Sequence, residues 1–314
     1  MDNIEPGKVL DTQNNLEQRT PPSTGKGKKT KSRKKSKFAE VWRRMKKNRT
    51  AMIGLAIILI FALFAVFAGA ISPLQNGIKQ NARNRCQPPS AEHIFGTDGY
   101  GRDMFTRIIH GSRVSLSIGL FTTSISLIVG GILGASAGYY GGRIDNIIMR
   151  IIDVFMCIPS ILLSLAIIAA LGPSLQNLLI AITISNVPNF TRLIRSVILT
   201  VVEQDFIEAA KSYSTSDVRI VLKYILPNAM GPIIVQATMS IASMMLSAAG
   251  LSYLGMGIQP PNPEWGAMLS EAREYMRTAP HMLFFPGLCI LIAALSLNLI
   301  GDGLRDALDP KLRD

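Results

Sequence analysis

EAAKSYSTSDVRIVLKYILP, residues 208–227, sits in a polar, basic segment between two long apolar runs. Phe206, Ile207 and Ala210 fall on one face of a helix-forming stretch, and Ser212 to Asp217 supply turn residues and N-cap candidates for a second helix. In that second helix Val218, Val221, Leu222 and Ile225 recur at i, i+3, i+4 and i+7, and Pro227 marks a break before the next apolar run. The spacing predicts an amphipathic helix-turn-helix exposed between membrane spans. Such an element needs a partner to cover its apolar face, so Glu208, Ala209, Ala210, Ser214, Asp217, Leu222, Ile225, Leu226 and Pro227 read as a docking loop and not as a catalytic site.

The 314 residues are 48% hydrophobic and 17% charged, with the apolar residues gathered in blocks about the length of a bilayer crossing. Six blocks qualify, at 51–71, 114–139, 146–171, 178–199, 229–257 and 282–300, giving an all-α membrane protein with one transmembrane domain over 51–314. Residues 1–50 hold fifteen Lys and Arg against five Asp and Glu, which carries most of the net charge of +12. Next to the first span this basic, Pro- and Ser-containing tail predicts a disordered cytoplasmic N-terminus attracted to anionic lipid, not a nucleic-acid footprint. The uncharged run of 21 residues at 51–71 exceeds a signal-peptide core and reads as a retained signal anchor. Cys86, Cys157 and Cys289 lack CxxC spacing and imply no disulfide scaffold.

An inside N-terminus and six spans put both termini in the cytoplasm, together with the Gly141-Gly142-Arg143 turn and the segment 200–228. Residues 72–113 and 258–281 are then outside. Gly130, Gly134 and Gly138 allow close helix approach, within the chain or to a partner subunit. Asn186, Asn189, Gln236 and Asn298 would be costly against lipid and are pathway-lining candidates. Pro159, Pro188 and Pro286 should kink their helices. Asp153 lies inside the third span with Arg150 one turn earlier, an expected ion pair near the interface. A self-contained proton- or sodium-driven carrier would bury more ionisable groups than this. Gly25-Lys26-Gly27-Lys28-Lys29-Thr30 lacks the ending of a phosphate loop, and His93, His110 and His281 lack the spacing of a metal site. The chain therefore reads as a non-catalytic subunit without cofactor or metal.

Four motifs in order resemble one family: His93-Ile94-Phe95-Gly96-Thr97-Asp98 with Gly101-Arg102-Asp103; Glu208-Ala209-Ala210 to Ile225-Leu226-Pro227; Pro263-Glu264-Trp265-Gly266-Ala267-Met268-Leu269; and Gly301-Asp302-Gly303-Leu304-Arg305-Asp306-Ala307-Leu308-Asp309-Pro310. Over about residues 38–314 the chain is similar to the C-type permeases of dipeptide, oligopeptide and nickel ABC importers. The resemblance implies a MetI-like transmembrane fold that pairs with a homologous permease, two ATPase subunits and an extracytoplasmic solute-binding protein. It implies a peptide pathway, with nickel or metal chelates as the alternative cargo, and makes 208–227 the cytoplasmic coupling helix between spans four and five. Gly96, Thr97, Asp98, Gly101, Arg102 and Asp103 become an outer connector, expected as a turn held by charge-assisted bonds. One departure stands out. Ser214 occupies the position where the family pattern has glycine, and a left-handed backbone there would cost serine about 1–2 kcal/mol.

Overall fold

The apolar blocks fold as long helices in a computed structural model that describes residues 37–309. The expectations for residues 1–36 and for Pro310 lie outside the described residues. Short α1 (Lys37–Met45) precedes α2 (Arg49–Ile71), and α3 (Leu74–Ile78) opens an irregular connector to α4 (Met104–Tyr140). Helices α5 (Gly142–Met156), α6 (Ser160–Leu171) and α7 (Leu175–Val202) follow, then α8 (Asp205–Ser212) and α9 (Asp217–Arg219). A π-helical stretch, Ile220–Ile225, joins α9 to α10 (Leu226–Tyr253), and α11 (Trp265–Ala272) and α12 (His281–Leu308) complete the chain.

The helix starts are written in side chains. Asn48 accepts from the Ala51 N–H at 3.2 Å, Asp103 from Thr106 at 2.8 Å and Ser174 from Asn177 at 3.1 Å, each satisfying a donor that the first turn leaves open. Glycines with positive φ turn the chain at the other ends, Gly141 (62°) between α4 and α5 and Gly172 (89°) after α6.

Among the described residues four helices are long and apolar enough to cross a membrane: α2, α4, the unbroken Asp217–Tyr253 rod and α12. The bent pair α5–α6 makes a fifth if counted as one span. Two expectations change here. The block 146–171 is not one rod, because the chain bends by 82° between Met156 and Ser160, where Pro159 forbids a continuous ladder. The block 178–199 lies within α7, whose Asn177, Asn186, Asn189, Arg192 and Arg195 take it below the apolarity of the other four.

Packing is set by small residues. A methyl group added at Gly134 of α4 would lie 2.5 Å from the Thr191 carbonyl oxygen of α7, and Gly130 and Gly138 meet Phe190 and Ile198 in the same way. The glycine seam thus serves α7 of the same chain. Its register, 130 to 190 and 138 to 198, also shows that α4 and α7 run parallel. On the other flank Gly54 of α2 meets Ser296 of α12, while Gly303 meets Ala51, an antiparallel register. A core of Met104, Ile108, Met245, Trp265, Met268 and Leu297 fills the space between α4, α10, α11 and α12, with the Trp265 indole donating to the Ile108 carbonyl at 3.0 Å. Leu59, Leu63, Phe67, Leu120, Ile128 and Ile132 remain exposed, an apolar outer surface of the kind a bilayer covers.

Candidate functional site

Residues 205–227 divide into an inward row and an outward row. Ile207, Ala210, Ile220 and Ile225 are buried in one cluster with Ile194, Ile198 and Val201 of α7 and Ala229 and Ile233 of α10. Phe206, Glu208, Ala209, Tyr213, Val218 and Leu222 face out, Tyr213 at 86% exposure and Leu222 at 59%. The alanines therefore separate: Ala209 is on the open face, while Ala210 packs against the chain's own helices.

The second half of the loop departs from the expected α-period. Val218 and Leu222 point outward, and Ile220 and Ile225, five residues apart, point in. A π-helical stretch produces this spacing, its last bond running from the Leu226 N–H to the Val221 carbonyl. It also lets Pro227, which has no N–H and whose ring would crowd the carbonyl four residues earlier, sit in the first turn of α10 without breaking the rod. The break expected at Pro227 is absent for that reason.

Between the two halves Ser214 has φ of 52°, the left-handed region, as its place in the glycine position foretold. Its N–H donates to the Lys211 carbonyl at 3.0 Å. Asp217 is the first residue of α9 and makes no cap bond of its own; its carboxylate accepts from the Tyr139 hydroxyl at 2.7 Å. The Lys211 ammonium lies 5.5 Å from the centre of the same tyrosine ring, so the end of α4 touches both halves of the loop.

At the opposite end of the bundle the connector is tied by charge. Gly96 (φ 75°) and Gly101 (φ 72°) take left-handed turns, and Thr97 bridges the segment through its hydroxyl to the Asn84 carbonyl and the Gln87 N–H. The Asp98 carboxylate accepts from the Tyr100 and Arg102 N–H groups, both at 2.9 Å, and from Arg102 Nε at 2.5 Å. Arg102 then reaches Glu271 at 2.6 Å, and Arg107 reaches the same Glu271 oxygen at 2.9 Å. Both guanidinium groups are buried, and Asp103 pairs with His93 at 3.0 Å. Arg107 and Glu271 were not singled out in the sequence, since a pair 164 residues apart leaves no local signal.

Glu264 is the N-cap of α11, its two oxygens accepting from the Gly266 and Ala267 N–H groups at 2.8 Å each. Burial pushes its carboxyl above the usual glutamate range, opposed by those two bonds. The polar candidates within the helices do not converge. Asn186 donates to Met244 Sδ at 2.6 Å, Asn189 to Asn186 at 3.3 Å and Gln236 to Ser240 at 3.4 Å, while Asn298 is half-buried on α12. Asp153 pairs with Arg192 of α7 at 2.8 Å, not with Arg150, because α5 lies across α7 and turns Asp153 toward it.

Comparison with known proteins identifies the family. Residues 130–314 match the family described as binding-protein-dependent transport system inner membrane component, and residues 36–89 match the N-terminal transmembrane domain of oligopeptide transport permease C. The dipeptide transport system permease protein DppC of Alkalihalophilus pseudofirmus is 51% identical over 88% of this chain and 91% of its own length. The glutathione transport system permease protein GsiD of Escherichia coli is 44% identical over 87% and 90%. Inward-facing crystal forms of the MetNI methionine ABC transporter share the fold, with TM-scores of 0.54 and 0.55 at 18% identity over 66% of this chain and 98% of theirs. With the family match over more than half of the chain and identity along most of its length, this chain belongs to the family of inner-membrane permease components of binding-protein-dependent ABC importers.

Proposed function

We propose that the chain forms, with a homologous permease, the membrane pathway of a peptide importer, and that α8, the turn at Ser214 and α9 are its docking face for ATPase subunits. The observation that carries this is the division of the loop into a buried anchor row and an uncovered row of Phe206, Glu208, Tyr213, Val218 and Leu222. A partly apolar face on a rigid mount suits a groove on a partner, and movement of that partner would shift α4, α7 and α10 as a body.

Six crossings are the reading the register favours. Because α4 and α7 run parallel, the chain between them has to return, which makes α5–α6 one bent crossing. The 28 residues of α7 reach about 42 Å at 1.5 Å each, more than the hydrocarbon core requires. With the basic tail held inside, both termini and the loop fall on the cytoplasmic side. Peptide cargo follows from the likeness to a dipeptide permease. ATP hydrolysis and solute capture belong to the partner subunits, and the connector anchored by Asp98, Arg102, Arg107 and Glu271 forms the outer wall on the side of the binding protein.

The test uses Glu208→Lys and Leu222→Glu on the open row. Near-normal membrane abundance with loss of ATPase co-purification or of dipeptide uptake is the expected result. Full association and full uptake in both variants would remove the loop from the interface. Ala210→Trp is a poor probe, because it would overpack the loop's own anchor.

A further inference from the structure

Two ion pairs join α5 to α7, and they differ in kind. Asp145 holds Arg195 through both carboxylate oxygens, at 2.5 and 2.6 Å, with only 17% and 29% of the side chains exposed. Asp153 and Arg192 make one bond of 2.8 Å and are 59% and 49% exposed. Among the described residues, the second Asp153 oxygen and the remaining Arg192 donors have no protein partner. The first pair is enough to fasten the helices. The second holds unused hydrogen-bonding capacity of both signs at one place.

Its depth matters. Arg192 lies ten residues before the end of α7, about 15 Å along the axis, well inside the span. A half-exposed pair there would be costly against lipid chains, and the neighbouring exposed positions on α7, Asn189 and Ser196 at i−3 and i+4, are polar too. That face of α7 is built for water.

We propose that Asp153 and Arg192, flanked by Asn189 and Ser196, form a station in the peptide pathway that reads the two charged ends of a short zwitterionic peptide. The Arg192 guanidinium takes the terminal carboxylate, and the Asp153 carboxylate takes the terminal ammonium. An exposed single-bond pair is weakly held and exchanges readily for such a ligand, whereas the two-bonded Asp145–Arg195 clip keeps the helices in place. The proposal rests on the reading of the chain as half of a peptide pathway.

The experiment uses the full transporter in proteoliposomes with its binding protein, in a chain whose three native cysteines are replaced by serine. Asn189→Cys, Arg192→Cys and Ser196→Cys should react with a charged, membrane-impermeant methanethiosulfonate at rates close to that of exposed Lys47→Cys, which lies outside the docking loop. Leu63→Cys on the apolar face of α2 should stay slow. Arg192→Gln and Asp153→Asn should keep abundance and binding-protein-stimulated ATP hydrolysis while losing about tenfold or more in dipeptide uptake, and Arg192→Lys should recover part of it. Labelling as slow as Leu63→Cys, or full uptake in both neutral variants, overturns the proposal. So does lost abundance restored by the reciprocal exchange Asp153→Arg with Arg192→Asp, which marks a structural clip. Absence of dipeptide uptake by the unaltered transporter sinks the underlying reading as well, so the two failures are told apart by that control.

Discussion

Replacing Glu271 by alanine leaves Arg102 and Arg107, each 1% exposed, sharing Asp98 as their only carboxylate in the cluster. The native arrangement is balanced, two cations against two anions, and Glu271 receives a bond from each cation, at 2.6 and 2.9 Å. Charge-assisted bonds contribute about 1.5–3 kcal/mol each, which puts the loss at about 3–6 kcal/mol. Breaking a buried pair by removing one partner gives a similar range of about 3–5 kcal/mol. The Glu271 side chain is itself 16% exposed, and water entering the vacated space brings the expected cost to the lower end, about 3 kcal/mol.

Thermal inactivation of the purified transporter, followed by size-exclusion chromatography after graded heating, reads this directly. Glu271→Ala and Arg102→Ala should each lower the transition clearly. The double variant Arg102→Ala with Glu271→Ala restores the charge balance around Asp98 and Arg107, and should fall short of the sum of the single losses by about 1–3 kcal/mol. Single variants within about 0.5 kcal/mol of wild type, or strictly additive losses, would refute the view that this cluster fastens the connector to α4 and α11.

Ser214→Gly should relieve the left-handed strain of about 1–2 kcal/mol, offset by about 0.5–1 kcal/mol of added backbone freedom, and slow amide exchange in the loop roughly two- to fivefold; unchanged exchange would contradict the strain. Gly134→Ala should destabilise by about 1–3 kcal/mol against the Thr191 carbonyl, while Gly131→Ala, whose nearest new contact is 3.6 Å away, should be neutral or stabilising in the same thermal assay. Because burial raises the Glu264 carboxyl pKa, its contribution is fully present below the ordinary value of 4.5 and is lost as pH rises through the folded value, so Glu264→Gln should gain on wild type as pH rises through that interval. Tyr139→Phe should cost about 0.5–1.5 kcal/mol of local loop stability, read as faster exchange around Asp217, with membrane abundance unchanged.

The apolar blocks were legible because bilayer length and hydrophobicity are local properties. Their ends were less so. Helix α4 begins at Met104 and not at 114, since Arg107, His110 and Arg113 look like loop residues until Glu271 and the carbonyls of Ser72 and Ala65 satisfy them. Pro159 announced a kink, but not a bend of 82°. The row Val218, Val221, Leu222 and Ile225 fitted an α-helix well, yet one extra residue per turn in the π stretch moves Ile220 inward and Leu222 outward. Asp153 had a plausible partner one turn away in Arg150, and a distant one in Arg192 took its place. The glycine position at Ser214 was readable only through the family pattern, whose physical content is the positive φ.

The two ends of the bundle are built differently. The connector is locked by buried opposite charges at Asp98, Arg102, Arg107 and Glu271, interactions whose geometry tolerates little displacement. The loop at 205–227 is held mainly by aliphatic burial of Ile207, Ile220 and Ile225, which resists removal but lets packed helices slide by small amounts. Among the described residues the Tyr139–Asp217 bond and the Lys211–Tyr139 contact give it direction, and both issue from the end of α4, which is seated on α7 through its glycines. Under the proposed docking, a push on the open row reaches α4 and α7 together, and α7 also carries Asn189, Arg192 and Ser196. In the proposed arrangement force and cargo meet on α7, with the charge-locked end as the frame against which it moves.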